Sequence, residues 1–279
     1  MSTTAISFRL PKAASQGFQN ASAYDTHRPS YPQEAVTSLL SALGLLGKQN
    51  TKILEIAAGT GKFTELLANR EEGFNVIAVE PHGDMRGQLA GKGLKGVDVR
   101  DGHAGRLAVE DGEWADGYIA AQSFHWFANK ETLKEAHRVL KKGRGLGAIW
   151  NIEDYNKPRE WKATTTWEEK LNSWIYSISS DGQPRFRDGQ WRGALEDQQL
   201  FALPLSEETV KWTVWLSEGA LWSRINTLSQ VAILEGSDRE AAVRVFKEAL
   251  QSPDVERNEK GEIALHGVTY FVWTKKLDS

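Results

Sequence analysis

Between residues 51 and 150, short apolar and often β-branched runs recur at even intervals, separated by segments whose apolar positions repeat every three to four residues. The runs "KILEIA" (52–57), "FNVIAVE" (74–80), "GVDVR" (96–100), "DGYIAAQ" (116–122) and "LGAIWN" (146–151) read as strands; 62–70, 83–91 and 130–141 read as helices. Strand and helix alternating at this spacing predict right-handed crossovers and a parallel sheet with helices on both faces. The basic run "KKGRG" (141–145) reads as the C-cap of the preceding helix rather than as a nuclear-targeting signal.

After residue 151 the pattern changes. Residues 153–205 scatter Trp161, Trp167, Trp174, Tyr176, Phe186 and Trp191 among polar positions, over a length too great for a bare loop in a compact domain. A helical insert is predicted there. "TVKWTVWL" (209–216) reads as a strand, 217–234 and 238–250 as helices, and the alternating "EIALHGVTYFVWTKK" (262–276) as a final strand. Two late strands after a βαβ run suit a mixed seven-stranded sheet whose last strand is antiparallel.

Composition narrows the classes. A chain of 279 residues, 40% hydrophobic, can bury a sizeable core as one large domain or one domain carrying a lid. Its net charge of −3 lacks the basic footprint of a nucleic-acid or anionic-membrane binder, so a small-molecule partner is expected. No stretch approaches the roughly 20 apolar residues of a membrane span, and "MSTTAISFRLPKAASQ" has no long apolar leader core, so a cytoplasmic protein is expected. There is no cysteine, which removes disulfides, thiolate metal sites and thiol nucleophiles; no metal is expected. Chance accounts for that absence. So does chemistry, because an enzyme handling reactive thiols would trap itself in mixed disulfides through a thiolate of its own.

The segment "LEIAAGTGKF" (54–63) carries the candidate chemistry: a strand, a small-residue turn, then a helix, which together aim backbone N–H groups at a ligand above the sheet. A P-loop fails twice, since Ile56 stands at its first Gly and Phe63 at its Ser or Thr. A dinucleotide turn is weakened by Thr64 at the third Gly position but stays open. A nucleoside without pyrophosphate fits as well. Glu80, nineteen residues past Gly61, can accept hydrogen bonds from both hydroxyls of a ribose. Alone, it reads as a solvated strand end; its pairing with the glycine turn favours the ligand.

Four segments, "LEIAAGTGKFTELLA", "VIAVEPHGDM", "DGHAGRL" and "AQSFHWF", in that order and spacing, resemble the class I S-adenosylmethionine-dependent methyltransferases, specifically the small-molecule type 11 group. The resemblance covers residues 20–151 well and the rest loosely. An N-terminal signature Y-x-x-x-R-P-x-Y-P is also matched, from Tyr24 and Arg28 to Pro32. What it implies is a Rossmann-like sheet of order 3-2-1-4-5-7-6 with a helical lid. The implied division is 1–152 for the N-terminal helices and cofactor core, 153–205 for the lid, and 206–279 for completion of the sheet. It further implies S-adenosylmethionine as cofactor and S-adenosylhomocysteine as product. Tyr24 and Arg28 would lie at the methionine carboxylate, Gly59 and Gly61 at the amino-acid part, Glu80 at the ribose, Met85, His103 and Ala104 around the adenine, and Gln122 in the same cofactor site. Ala57 and Gly105 depart from the family pattern, where Gly and an acidic residue respectively are common.

The stretch "QSFHWF" would then lie over the transferred methyl group. His125 is the candidate base or acceptor-orienting group, against a purely structural role beside Trp126. Phe124, Trp126 and Trp150 are candidates to line a pocket for an aromatic or apolar acceptor, although most of the 11 tryptophans should pack in the core. Arg185, Arg187 and Arg224 would suit an anionic acceptor or lie on the surface. Overall texture resembles fungal relatives of two kinds: trans-aconitate-type carboxyl methyltransferases, and thiol methyltransferases acting on epidithiodiketopiperazines such as gliotoxin. The missing cysteines and aromatic insert tilt the expectation to S-methylation of a reduced dithiol, with O-methylation of a small carboxylic acid or non-catalytic cofactor binding as alternatives.

Overall fold

A computed structural model describes residues 29–107, 109, 112–179 and 182–278. Its seven strands are β1 (Lys52–Ile56), β2 (Asn75–Val79), β3 (Val97–Arg100), β4 (Ala115–Ala121), β5 (Leu140–Glu153), β6 (Ser206–Leu216) and β7 (Ile263–Lys275). They form one sheet of order β3-β2-β1-β4-β5-β7-β6. β1 to β5 run parallel to one another, and β7 runs antiparallel to both β5 and β6. The expected mixed Rossmann-like sheet is therefore present, with its inner strands largely buried and mostly apolar.

Helices cover both faces. On one, α1 (Gln33–Ala42) sets Ala35, Val36, Leu39 and Leu40 against Ile53, Ile119, Ile149 and Phe271. α2 (Lys62–Ala68) and α3 (Gly83–Gly91) add Phe63, Leu67 and Leu89 to that face. The approach is close: a Cβ on Gly147 of β5 would stand 2.9 Å from the Leu39 Cδ1 atom, so glycine lets α1 sit on the sheet. On the other face, α4 (Lys130–Val139) packs Leu133, Ala136 and Val139 against Tyr118, Ala120, Leu146 and Ala148.

Residues 153–205 hold α5 (Thr166–Ser177) and α6 (Gln190–Glu196), so the helical insert is present. Its helices face different cores. Trp191 and Phe186 close over Trp150 on the sheet, with ring centroids 4.8 and 5.0 Å away. Trp167, Leu171 and Ile175 of α5 instead join Leu221, Ile225, Phe246, Ile263 and Leu265 in a separate cluster. That cluster also draws on α7 (Glu218–Ile225), α8 (Ser229–Ala232) and α9 (Gly236–Ala249).

Two local expectations are corrected. "KKGRG" is not a helix cap: the helix ends at Val139, Leu140 turns extended, and 141–145 continue into β5 through a bulge opposite Ala115 and Gly117. Burial of Leu140 beside Ala115 decides this, and the cations it leaves at the rim meet Asp116, 2.9 Å from Lys141 and 3.4 Å from Arg144. The helix expected over 217–234 is broken at 226–228. There the Thr227 hydroxyl donates to the Arg224 carbonyl at 2.6 Å, and Leu228 turns extended to bury its side chain.

Candidate active site

β1 and β4 are neighbours whose chains lead away to opposite halves of the sheet, and each ends in a left-handed non-glycine residue: Ala57 at φ 51° and Gln122 at φ 59°. Such backbone costs about 1–3 kcal/mol and persists only where its surroundings hold it. Here the Ala58 N–H donates to the Val79 carbonyl at 3.1 Å, and the Gln122 N–H to that of Ile149 at 2.7 Å. The two sharp turns flank a cleft of about 430 Å³ at the carboxyl ends of the strands. This is where doubly wound sheets place their ligands.

Glu80 follows β2 and lines the cleft, nearly buried at 4% exposure. Its Oε2 accepts the Gly59 N–H at 2.8 Å and its Oε1 the His82 N–H at 2.7 Å. One carboxylate thus ties the glycine turn to the end of the next strand. Burial raises its pKa, and the two amides with the charges of His82 and Arg86 oppose the rise. Glu80 is no solvated strand end.

A second acid lines the same cleft. Glu55, in the middle of β1, is fully buried, and among the described residues neither of its oxygens has a hydrogen-bond partner. Burial pushes its pKa up to about 8; the Thr64 hydroxyl alongside opposes this and the nearby Glu80 charge adds to it. Two buried carboxylates in one cleft suit a cationic ligand group.

Met85 and Ala104, both nearly buried, and His103 complete this end of the cleft. Burial lowers the His103 pKa, and the Arg106 charge does the same. Pro29, Tyr31, Ser123, Trp126 and Phe127 also line the cleft. So Gly59, Glu80, Met85, His103, Ala104, Gln122 and Trp126 are brought together. The Gln122 side chain is turned to the sheet, its Oε1 accepting the Asn151 N–H at 2.8 Å and its Nε2 donating to the Asn151 carbonyl at 3.0 Å.

Other expected residues stand elsewhere. Gly61, in left-handed backbone at the start of α2, is set by packing, because a Cβ there would stand 2.2 Å from the Leu89 Cδ1 atom. Phe124 and Trp150 are fully buried and do not line the cleft. His125 also lies outside its lining; the Trp150 indole N–H donates to its Nδ1 at 3.1 Å. That bond puts the proton of the neutral ring on Nε2, leaving it a donor rather than a base. Arg224 is buried against Glu153 at 3.0 Å, Arg185 bonds Gln230, and Arg187 stacks on Tyr176. Tyr24 and Arg28 lie outside the described residues.

Sequence reasoning passed over Glu55 and Asn151. Glu55 had a visible signal, a lone acid inside an apolar strand; Asn151, ending "LGAIWN", had none.

The sheet order and the cleft define a class I, Rossmann-like methyltransferase architecture. Residues 54–146, from β1 to the first part of β5, match the family model described as the methyltransferase domain. An uncharacterised methyltransferase-like protein of Schizosaccharomyces pombe is 36% identical over 169 residues, 60% of either chain. An uncharacterised methyltransferase of Mycobacterium tuberculosis is 28% identical over 253 residues, 90% of this chain and 91% of that one. The chain matches only 60% and 52% of the lengths of two S. pombe relatives. Among solved structures, the YcgJ protein of Bacillus subtilis superposes with a TM-score of 0.56 at 14% identity, covering 89% of this chain and all of that one.

Proposed function

We propose that the whole protein is an S-adenosylmethionine-dependent methyltransferase acting on a small apolar or ring-containing molecule. One observation carries the reading: a glycine turn bound to a buried strand-end carboxylate, with a second, fully buried carboxylate lining the same cleft of about 430 Å³. Glu80 would take the ribose hydroxyls on its remaining lone pairs, and Glu55 the ammonium of the methionine part. Met85, His103 and Ala104 would border the adenine, where a thioether suits an aromatic ring. Gly59 offers close approach, and Tyr24 and Arg28 are proposed at the methionine carboxylate. The bound cofactor supplies an activated methyl on a sulfonium. The chain's own part is to align the acceptor and keep water out.

The acceptor we propose is the reduced dithiol of an epidithiodiketopiperazine of the gliotoxin kind, methylated on sulfur in the cytoplasm. Three features support it. The chain has no cysteine to be caught in exchange. Tyr31, Trp126 and Phe127 give the cleft lining an aromatic share. A thiol with a pKa near 8.5 also needs little help losing its proton, which suits a His125 whose lone pair is held by Trp150. His125 would then orient the acceptor, and Phe124 and Trp150 would shape the pocket from behind.

The test combines calorimetry with product analysis. S-adenosylmethionine should bind with measurable heat, and incubation with labelled cofactor and reduced gliotoxin should give a labelled thioether and S-adenosylhomocysteine. Heat without any thioether would remove the dithiol. Product from trans-aconitate instead would establish the carboxyl reading, and no heat would remove the cofactor.

A further inference from the structure

From the geometry we infer that Asn151 is a positioning residue, a latch that closes the segment 29–32 over the cofactor cleft and slows release of what is bound there. The inference rests on the cofactor reading above.

Pro29 and Tyr31 line the cleft, and Ser30 lies between them. Downstream the segment is held by α1, whose first turn begins with the Val36 N–H on the Pro32 carbonyl at 3.1 Å, and by the Tyr31 ring set edge-on to Phe63 at 5.2 Å. At Ser30 the tie is polar: Asn151 Nδ2 donates to the Ser30 carbonyl at 3.2 Å.

The rest of Asn151 is built to aim that amide. Thr269, its cross-strand partner on β7, donates its hydroxyl to Asn151 Oδ1 at 2.6 Å, which assigns oxygen and nitrogen and turns Nδ2 toward Ser30. The Gln122 side chain holds both backbone groups of Asn151, at 2.8 and 3.0 Å. Thr269 is fully buried and Asn151 only 3% exposed. These links join Asn151 to β7 and to the residue just past β4; its bond to Ser30 crosses to the segment 29–32.

Opening would break the Nδ2–Ser30 hydrogen bond, worth roughly 0.5–1.5 kcal/mol net. Asn151 itself borders the cleft, whereas Thr269, which aims its amide, does not, so the Thr269 variant tests the latch without changing the cleft wall. Loss of the latch should act on leaving rather than on arrival, because an ordered cover must open before a bound molecule departs.

The experiment is stopped-flow binding of S-adenosylhomocysteine to the full chain, followed by tryptophan fluorescence, with melting temperature recorded for every variant. Asn151→Asp keeps the acceptor for Thr269 but loses the donor to Ser30, and should release the ligand about tenfold faster with an association rate near that of the wild type. Thr269→Val leaves the Ser30 bond possible but unaimed, and should speed release about threefold. A merely structural role would lower both melting temperatures and leave dissociation unchanged. Wild-type release rates in a folded Asn151→Asp protein, or in Thr269→Val should Asn151→Asp not fold, overturn the latch alone. Absence of any binding to the wild type overturns the cofactor reading, and the latch with it.

Discussion

Two carboxylates divide the labour at the candidate site, and their environments set the difference. Glu80 has both oxygens on backbone amides, so its charge is matched before any ligand arrives. Replacing it with Ala removes the ribose acceptor and frees the Gly59 turn; at roughly 1.5–3 kcal/mol per charged hydrogen bond, affinity for S-adenosylmethionine should fall at least tenfold by calorimetry. Glu55 has no such partners, and its pKa near 8 keeps it protonated at neutral pH in the free protein. A pKa raised on folding contributes stability that is complete below the unfolded value and lost as pH rises through the folded one. Thermal stability should therefore decline between about pH 5 and pH 8 on account of this group, and Glu55→Gln should melt several degrees above the wild type at about pH 9 but near it at pH 5. If Glu55 receives a cation, binding must release its proton, so the calorimetric heat near neutral pH should change with the ionisation enthalpy of the buffer, and should stop doing so in the Gln variant. Glu80 could be read from its position after a strand and its distance from the glycine turn. The pKa of Glu55 could not, because it depends on what the fold packs around the strand.

At the scale of elements, the unit β1–turn–α2 illustrates two uses of glycine. Gly59 leaves room at the cleft and gives its N–H to Glu80. Gly61 lies outside the cleft lining and lets α2 approach α3. Gly61→Ala should lower stability by a few kcal/mol, through its clash with Leu89 and its positive φ. Adding Leu89→Ala should recover part of that loss, a coupling measurable by a denaturation double-mutant cycle. The two glycines look alike in sequence, since both follow a strand. Their roles differ because α3, some twenty residues later, presses Leu89 to 2.2 Å from a Cβ on Gly61 but leaves Met85 at an ordinary 3.9 Å from one on Gly59. The same reasoning covers the misread ends. A basic run before Gly fits a helix cap locally, but burying Leu140 opposite Ala115 outweighs local preference, and the run becomes a strand with a bulge. Boundaries are decided by partners, whereas the existence of the inner strands is decided by their own largely apolar runs.

In the whole molecule, two cores line the sheet faces and a third joins α5 to the C-terminal helices and the start of β7. Trp150 anchors the first, wrapped by Phe186, Trp191 and Tyr270, so Trp150→Ala should cost about 3–5 kcal/mol in urea denaturation. Ligand binding adds to this reserve: S-adenosylhomocysteine at a hundredfold excess over its Kd should add about 2.7 kcal/mol and raise the melting temperature accordingly. The sequence alone determined the alternation of strand and helix, the glycine turn, the acidic residue answering it, and, through its resemblance to a family, the sheet order. These follow from neighbouring residues and fixed spacings, which the chain carries in its own order. Only the tertiary structure decided that Phe124 and Trp150 belong to the core, that Arg224 is buried against Glu153, that the lone pair of His125 is held by an indole, and that Asn151 reaches Ser30. Each of those contacts joins residues that lie together only once the sheet has formed, and burial, not residue type, sets what such a side chain can do.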